Sequence, residues 1–364
     1  MAELWGASRS STFLTVTISA LAKLPFFKEI LKDWLKQNEI RLQDSPAIEL
    51  CSFLIDCDED FAVTALGFQQ AANILSTYFP EFVRCHAATQ VGRCQQLFLL
   101  EVILLLKSAT NISRSRGIHS PTPMHQLCLF DLQMAERHAR AFGFNKGSAD
   151  WRNFQKNNRS FIDEYFMVVE TTVSRCYWCA EKIAVSKIEI AVDIYLPERQ
   201  KDEQISMDLQ TIIDHNFNQV RQVQVIELSR RCALGCWGSY EMMRLITRFP
   251  TYMVLRIQRA DQHRQQKDRV ILNEVVTIRN QSAVRPLAYY YVVSVFTRDS
   301  PQAASQRRNR VYSYHLYSNR WHMTEGNVLN ILEFGAVNVP DVQQSLTTII
   351  LKRSSNTSLK RPAE

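Results

Sequence analysis

The stretch FIDEYFMVVETTVSRCYWCAEKIAVSKIEIAVDIYLP, residues 161–197, decides the fold. The runs YFMVVETTVSR (165–175) and KIEIAVDIYLP (187–197) are rich in β-branched residues with alternating polarity, and both predict strands. Between them Cys176 and Cys179 fall at a turn, and a second close pair, Cys232 and Cys236, lies in RRCALGCWG. Four thiolates from two short turns can surround a tetrahedral zinc ion and tie together segments distant in sequence. Spacing alone leaves three readings open, a structural zinc site, a redox pair and ordinary cysteines in a hairpin. The redox reading is the poorest, because a thioredoxin-type pair opens a helix after a strand.

Upstream of this stretch the apolar residues recur at helical spacing from about 12 to 107, as in FFKEILKDWLKQ, and CQQLFLLEVILLLK (94–107) reads as a buried helix. The polar stretch SATNISRSRGIHSPTP (108–123) predicts a loop. MHQLCLFDLQMAERHARAF (124–142) predicts a further helix, and GFNKGSADWRN (143–153) a loop. Downstream, YMVLRIQR (252–259), VILNEVVTI (270–278), AYYYVVSVFTR (288–298), RVYSYHLY (310–317) and QSLTTIILKR (344–353) predict strands. Helices first and strands later imply an α+β fold rather than βαβ repeats. The tail from 354 to 364 is polar and expected to lack structure.

The bulk composition narrows the function classes. With 364 residues and 46% apolar content the chain can build a substantial core. Its nine cysteines are odd in number and scattered, which favours a reducing compartment, cytoplasm or nucleus, over a disulfide framework. No run reaches the ~18–20 apolar residues a membrane helix needs. A soluble chain is therefore expected. The modest excess of basic residues, 43 against 36 acidic, is spread over the chain; loops such as SQRRNR (305–310) are locally basic but lack interleaved aromatics, so solvated loops are favoured over nucleic-acid contacts.

The order of elements around the two cysteine pairs resembles the fingers region of the ubiquitin-specific proteases, a family of cysteine deubiquitinases. SSTFLTVTISALAKLPFF (10–27) is similar to the box that opens that family's domain. AYYYVVSVFTR, VYSYHLY and RWHMTEGNVLNI (320–331) are similar to its closing boxes. The resemblance implies one papain-like domain over 1–353, with a helical thumb (about 10–142), β fingers (about 160–260) and a β palm (about 250–353). It also implies that Cys176, Cys179, Cys232 and Cys236 hold a structural zinc.

Carried over residue by residue, the catalytic machinery is missing. The nucleophile position falls on Thr12, the oxyanion-stabilising position on Ser10, the histidine position on Val311 and the acid position near Glu325. A thiol protease needs a thiolate, a base and an oxyanion donor. Valine can neither take nor give a proton. His315, four residues along the same strand, is ~13 Å away, and Thr17 or Ser19 could take the nucleophile position only without a histidine. Gln95 and Gln96 are the preferred match to the family's Gln-Gln box, ahead of Gln69 and Gln70, and Tyr312, Tyr314 and Trp321 are candidates to line a retained binding groove.

The expectation is a non-catalytic protein of this fold that binds ubiquitin or a ubiquitin-like protein, or scaffolds a protein complex. Two alternatives stand beside it. One is an active cysteine deubiquitinase with a displaced nucleophile, which requires Cys51, Cys57, Cys85 or Cys94 beside His315 or His322. The other is a zinc-dependent nucleic-acid-binding module.

Overall fold

A computed structural model describes residues 12–38, 46–56, 73–74, 91–111, 132–176, 179–196, 206–217, 220–224, 239–258, 268–278, 288–298, 309–315, 319–325 and 328–354. The helices of the first part are α1 (Thr12–Ala22), α2 (Phe27–Gln37), α3 (Pro46–Asp56), α4 (Val91–Ala109), α5 (Leu132–Asn157) and α6 (Phe161–Tyr165). Among the described residues no helix is long and apolar enough to cross a membrane.

The helical lobe closes on itself through one polar node and one aromatic cluster. Ser160 caps α6, its hydroxyl accepting from the Asp163 amide at 3.1 Å and donating to Asp163 Oδ2 at 2.8 Å. Lys107 of α4 meets the other oxygen of that buried carboxylate at 2.9 Å. Around them Phe27 packs edge-on against Phe161, Phe166 and Tyr252, with centroids 5.4, 6.1 and 6.2 Å away. Tyr252 belongs to a strand of the large sheet and donates its hydroxyl to the Pro25 carbonyl at 2.5 Å. One side chain thus fixes the α1–α2 turn to the sheet.

Two sheets follow. The smaller is antiparallel in the order β2-β1-β6-β5, built from β1 (Val168–Cys176), β2 (Lys182–Glu189), β5 (Val220–Gln224) and β6 (Ser239–Arg248). The larger runs β13-β12-β11-β10-β14-β7-β3, with β9 (Val275–Ile278) also pairing with β10. Its strands are β3 (Ala191–Tyr195), β7 (Tyr252–Gln258), β10 (Ala288–Arg298), β11 (Asn309–His315), β12 (Arg320–Glu325), β13 (Val328–Leu332) and β14 (Leu346–Arg353). All its pairings are antiparallel except β3 with β7. A short parallel pair, β4 (Ser206–Asp208) with β8 (Arg269–Ile271), completes the strands. The α+β expectation is met.

Alternation sorts the large sheet into two cores. Ala191, Val254, Ile350, Phe296 and Val311 face the helical lobe and are buried with Val16, Leu21, Phe98 and Phe161. Val192, Leu255, Ile349, Val295, Tyr312 and Trp321 face the opposite way. They are buried with α7 (Leu209–Phe217), α8 (Phe334–Val337) and α9 (Pro340–Ser345), through Ile212, Val337 and Val342 among others.

The run 187–197 is not one strand. β2 pairs with β1 in the small sheet, the chain bends at Ile190, and β3 pairs with β7 in the large one, so a continuous β-branched pattern serves two sheets. The run 270–278 likewise divides into β8 and β9. The expected loop at 143–153 is helix instead, the middle of α5. Its glycines set a contact distance rather than a turn. A Cβ on Gly143 would lie 2.7 Å from Leu245 Cδ1 and from Val173 Cγ2, and one on Gly147 would lie 2.1 Å from Thr247 Oγ1. The helix therefore rests directly on β1 and β6, with Val173, Met243 and Leu245 buried beneath it alongside Phe142 and Phe144.

Gly147→Ala is expected to overpack that contact and cost ~1–3 kcal/mol. Gly335→Ala, which meets nothing within 4 Å, should be neutral or slightly stabilising. Urea unfolding of the two variants beside the parent protein checks this. Equal midpoints would mean that α5 does not sit on the sheet.

Candidate functional site

Two of the positions that the family resemblance marks as catalytic, Val311 and Glu325, lie close together on neighbouring strands of the large sheet. α1 lies across β11 and β12, and Ser19 Oγ sits 3.0 Å from Thr324 Oγ1, both buried. The C-terminal end of α1 leads into the turn that Pro25 ties to Tyr252. Thr12 is the first residue of α1, Glu325 closes β12 opposite Val328, and Val311 pairs with Thr324 on one side and Phe296 on the other. Ser10 lies outside the described residues, as do the side chains of Thr12 and Glu325.

Val311 decides what this end of the sheet can do. It is fully buried, 0% exposed, in the core shared with α1 and α4. The position to which the resemblance assigns the histidine is thus apolar and closed to solvent. The row beneath it is polar but closed: Ser294 and Ser313 hydroxyls lie 3.2 Å apart, and His322, directly opposite Ser313, is buried on the same face. Thr17 and Ser19 are fully buried too, so neither presents a hydroxyl to a substrate. His315 ends β11 opposite Arg320, at the other end of the strand from Arg310.

Of the cysteines weighed as displaced nucleophiles, Cys51 lies on α3 and is fully buried, and burial pushes its thiol up to about 12. It is a protonated, inaccessible group at neutral pH. Cys57 and Cys85 lie outside the described residues, and so does the side chain of Cys94.

The expected groove residues sit elsewhere. Tyr312 and Trp321 are 4% and 5% exposed in the core on the face away from α1. Tyr314 packs against Trp321 with ring centroids 5.9 Å apart and donates its hydroxyl to Asn319. These rings are packing residues of that core rather than walls of an open cleft, because strand alternation turns them from the helical lobe. Gln95 and Gln96 fall inside α4, one turn after its start at Val91, rather than opening it.

At the far end of the small sheet the cysteine turn is partly described. Cys176 is buried and Cys179 half-buried. The Ala180 amide donates to the Cys176 carbonyl at 3.0 Å, the Cys176 amide donates to the Glu181 carbonyl at 2.9 Å, and Ala180 takes φ 56° to close the turn. β1 and β5 are both antiparallel to β6, so both point the same way. The connections that follow them, after Cys176 and after Gln224, therefore leave from one end of the sheet. The second connection carries Cys232 and Cys236, which lie outside the described residues. Among the described residues no group of three or more His, Cys, Asp or Glu side chains could hold a metal ion.

No family model matches this chain, and no curated protein matches it. Solved structures do. The SAGA DUB module Ubp8, Sgf11, Sus1 and Sgf73 bound to monoubiquitin aligns with a TM-score of 0.62 at 10% identity, covering 95% of this chain and 67% of that one. The SAGA Ubp8 module bound to ubiquitin aldehyde aligns with a TM-score of 0.62 at 9% identity over 95% and 68%. A yeast SAGA DUB module with a mutant Sgf73 aligns at 0.59, 10% identity, over 95% and 67%. This chain spans about two thirds of the length of each. The likeness shows the fold, that of the ubiquitin-specific protease catalytic domain, as the resemblance in sequence implies.

Two outcomes are expected at this site. Cys51 should resist iodoacetamide at pH 8 in the folded protein and react on unfolding, read by peptide mass spectrometry. Its contribution to stability is fully present below the unfolded thiol value of ~8.5 and is lost progressively as pH rises toward about 12. Val311→His should bury an imidazole among apolar groups, costing ~1–3 kcal/mol, and should produce no hydrolysis of a ubiquitin-amide substrate.

Proposed function

We propose that this chain is a non-catalytic protein with a deubiquitinase fold, a binding or scaffolding component of a ubiquitin-related pathway. The observation that carries the proposal is Val311, an apolar side chain at 0% exposure where this fold would need its base. A nucleophile at the start of α1 then has no partner to take its proton, and Thr12 is a poor nucleophile without one.

The partner in this reading is ubiquitin or a ubiquitin-like protein, together with further subunits of a complex. The support is the fold itself, since the solved modules that share it hold monoubiquitin or ubiquitin aldehyde beside several other chains. Cytoplasm and nucleus are the compartments that the odd number and scatter of the cysteines favour. The reading of an active enzyme with a displaced nucleophile is weakened by the buried, protonated thiol of Cys51.

A zinc ion is part of the proposal, as a structural crosslink. Cys176 and Cys179 are thiols on one short turn, and the connection bearing Cys232 and Cys236 leaves the same end of the sheet, which fits a four-thiolate site. Zinc supplies no reaction there. It joins the two connections.

The test is to incubate the purified protein with ubiquitin bearing a C-terminal electrophile and, separately, to titrate unmodified ubiquitin by calorimetry. No covalent adduct with saturable binding is expected. An adduct at any cysteine would overturn the non-catalytic reading. Absence of both adduct and binding would remove ubiquitin from the proposal. Metal analysis of the same sample should give about one zinc per chain, falling in Cys179→Ser together with thermal stability. A zinc-free parent protein would sink the crosslink.

A further inference from the structure

The turn between α1 and α2 holds a bulky residue in a conformation that costs free energy. Phe26 has φ 62° and ψ 12°, the left-handed region that favours glycine, and its ring is 48% exposed. The turn is held from both sides. Pro25 accepts the Tyr252 hydroxyl, and Phe27 is fully buried in the aromatic cluster. An exposed ring returns little burial for that conformation, and strained residues of this kind gather at ligand sites.

Two neighbours give the ring a chemical setting. The Lys352 ammonium stands 4.6 Å from the centroid of the Phe26 ring. It is half-buried, makes no ion pair with a described carboxylate, and burial lowers its pKa. Tyr291 lies directly opposite Lys352 in the β10–β14 register and is 38% exposed. On β10, Tyr291 stands five residues from Phe296, the partner of Val311, ~16 Å along the strand. The patch is thus separate from the degenerate catalytic end.

We propose that Phe26, Lys352 and Tyr291 form a docking point for an extended segment of a partner protein in which a carboxylate adjoins an aromatic or aliphatic side chain. The carboxylate pairs with Lys352, whose partial burial strengthens the pairing relative to a solvated lysine. The apolar side chain covers the two exposed rings. The net charge of +7 on this chain favours approach of an acidic segment. Nothing in this assignment depends on ubiquitin being bound.

The experiment is fluorescence anisotropy of the full chain with fluorescein-labelled Glu-Asp-Phe-Asp-Leu and the charge-reversed Lys-Lys-Phe-Lys-Leu as probes. The acidic peptide is expected to bind at least tenfold more tightly. Lys352→Glu should weaken it at least tenfold, whereas Lys32→Glu on the exposed face of α2 should leave it unchanged. Phe26→Gly should lose binding while the thermal midpoint holds or rises, because glycine accepts this conformation without strain. Equal binding of the two peptides, no binding of either, or indifference to Lys352→Glu would overturn the proposal. So would a lower midpoint in Phe26→Gly, which would make the ring a packing element.

Discussion

The guanidinium of Arg244 is where the two sheets are held together. It grips Glu170 of β1 with both ends of its fork at 2.8 Å, donates to the Asp193 carbonyl of β3 at 3.0 Å and to Asn216 Oδ1 of α7 at 3.2 Å. Phe217 lies beneath it with the ring centroid 5.0 Å away. Asn216 in turn reads both backbone groups of Tyr195, accepting from its amide and donating to its carbonyl. Four elements meet at one cation. The orientation of the small sheet toward the large one, and hence the distance between the cysteine turn and the Val311 end, follows from this junction.

Strands such as 288–298 were legible in the sequence, because a β-branched run that joins a single sheet remains one strand even where its pairing with β14 shifts register at Val292/Ser294 and Phe296/Thr297. The errors arose where tertiary contacts override local pattern. The glycines of α5 carry turn chemistry in isolation and serve close packing in the folded chain. Residues 187–197 look like one strand because period two continues through the bend at Ile190. β5 and β6 were missed altogether, since MMRLIT has as much helical as strand character until β1 lies beside it.

At the candidate site the substitutions themselves were readable, and their consequence was not. Val311 in place of a base is a fact of sequence, but its complete burial comes from α1 lying on β11. The opposite holds for the tyrosines. Alternation places Tyr312 and Tyr314 on one face, yet which face meets the helical lobe depends on the partner strands, and those turn them into the second core. Phe26 carried no signal, because nothing in its local sequence calls for a positive φ, and the neighbouring Pro25 is held by Tyr252 from far along the chain.

Strand order has a consequence for how the chain is made. β14, which follows β7 and β10 in sequence, lies between them, and β6 lies between β1 and β5. During synthesis the hairpin of β1 and β2 must wait about 60 residues for its neighbour, several seconds at ~5–20 residues per second. The large sheet stays split in two until β14 emerges. Both gaps expose unpaired backbone, a template for pairing with other chains. The centre of the large sheet therefore closes after both its flanks have been made, and a chaperone that shields β7 and β10 until β14 arrives would act on the slow step.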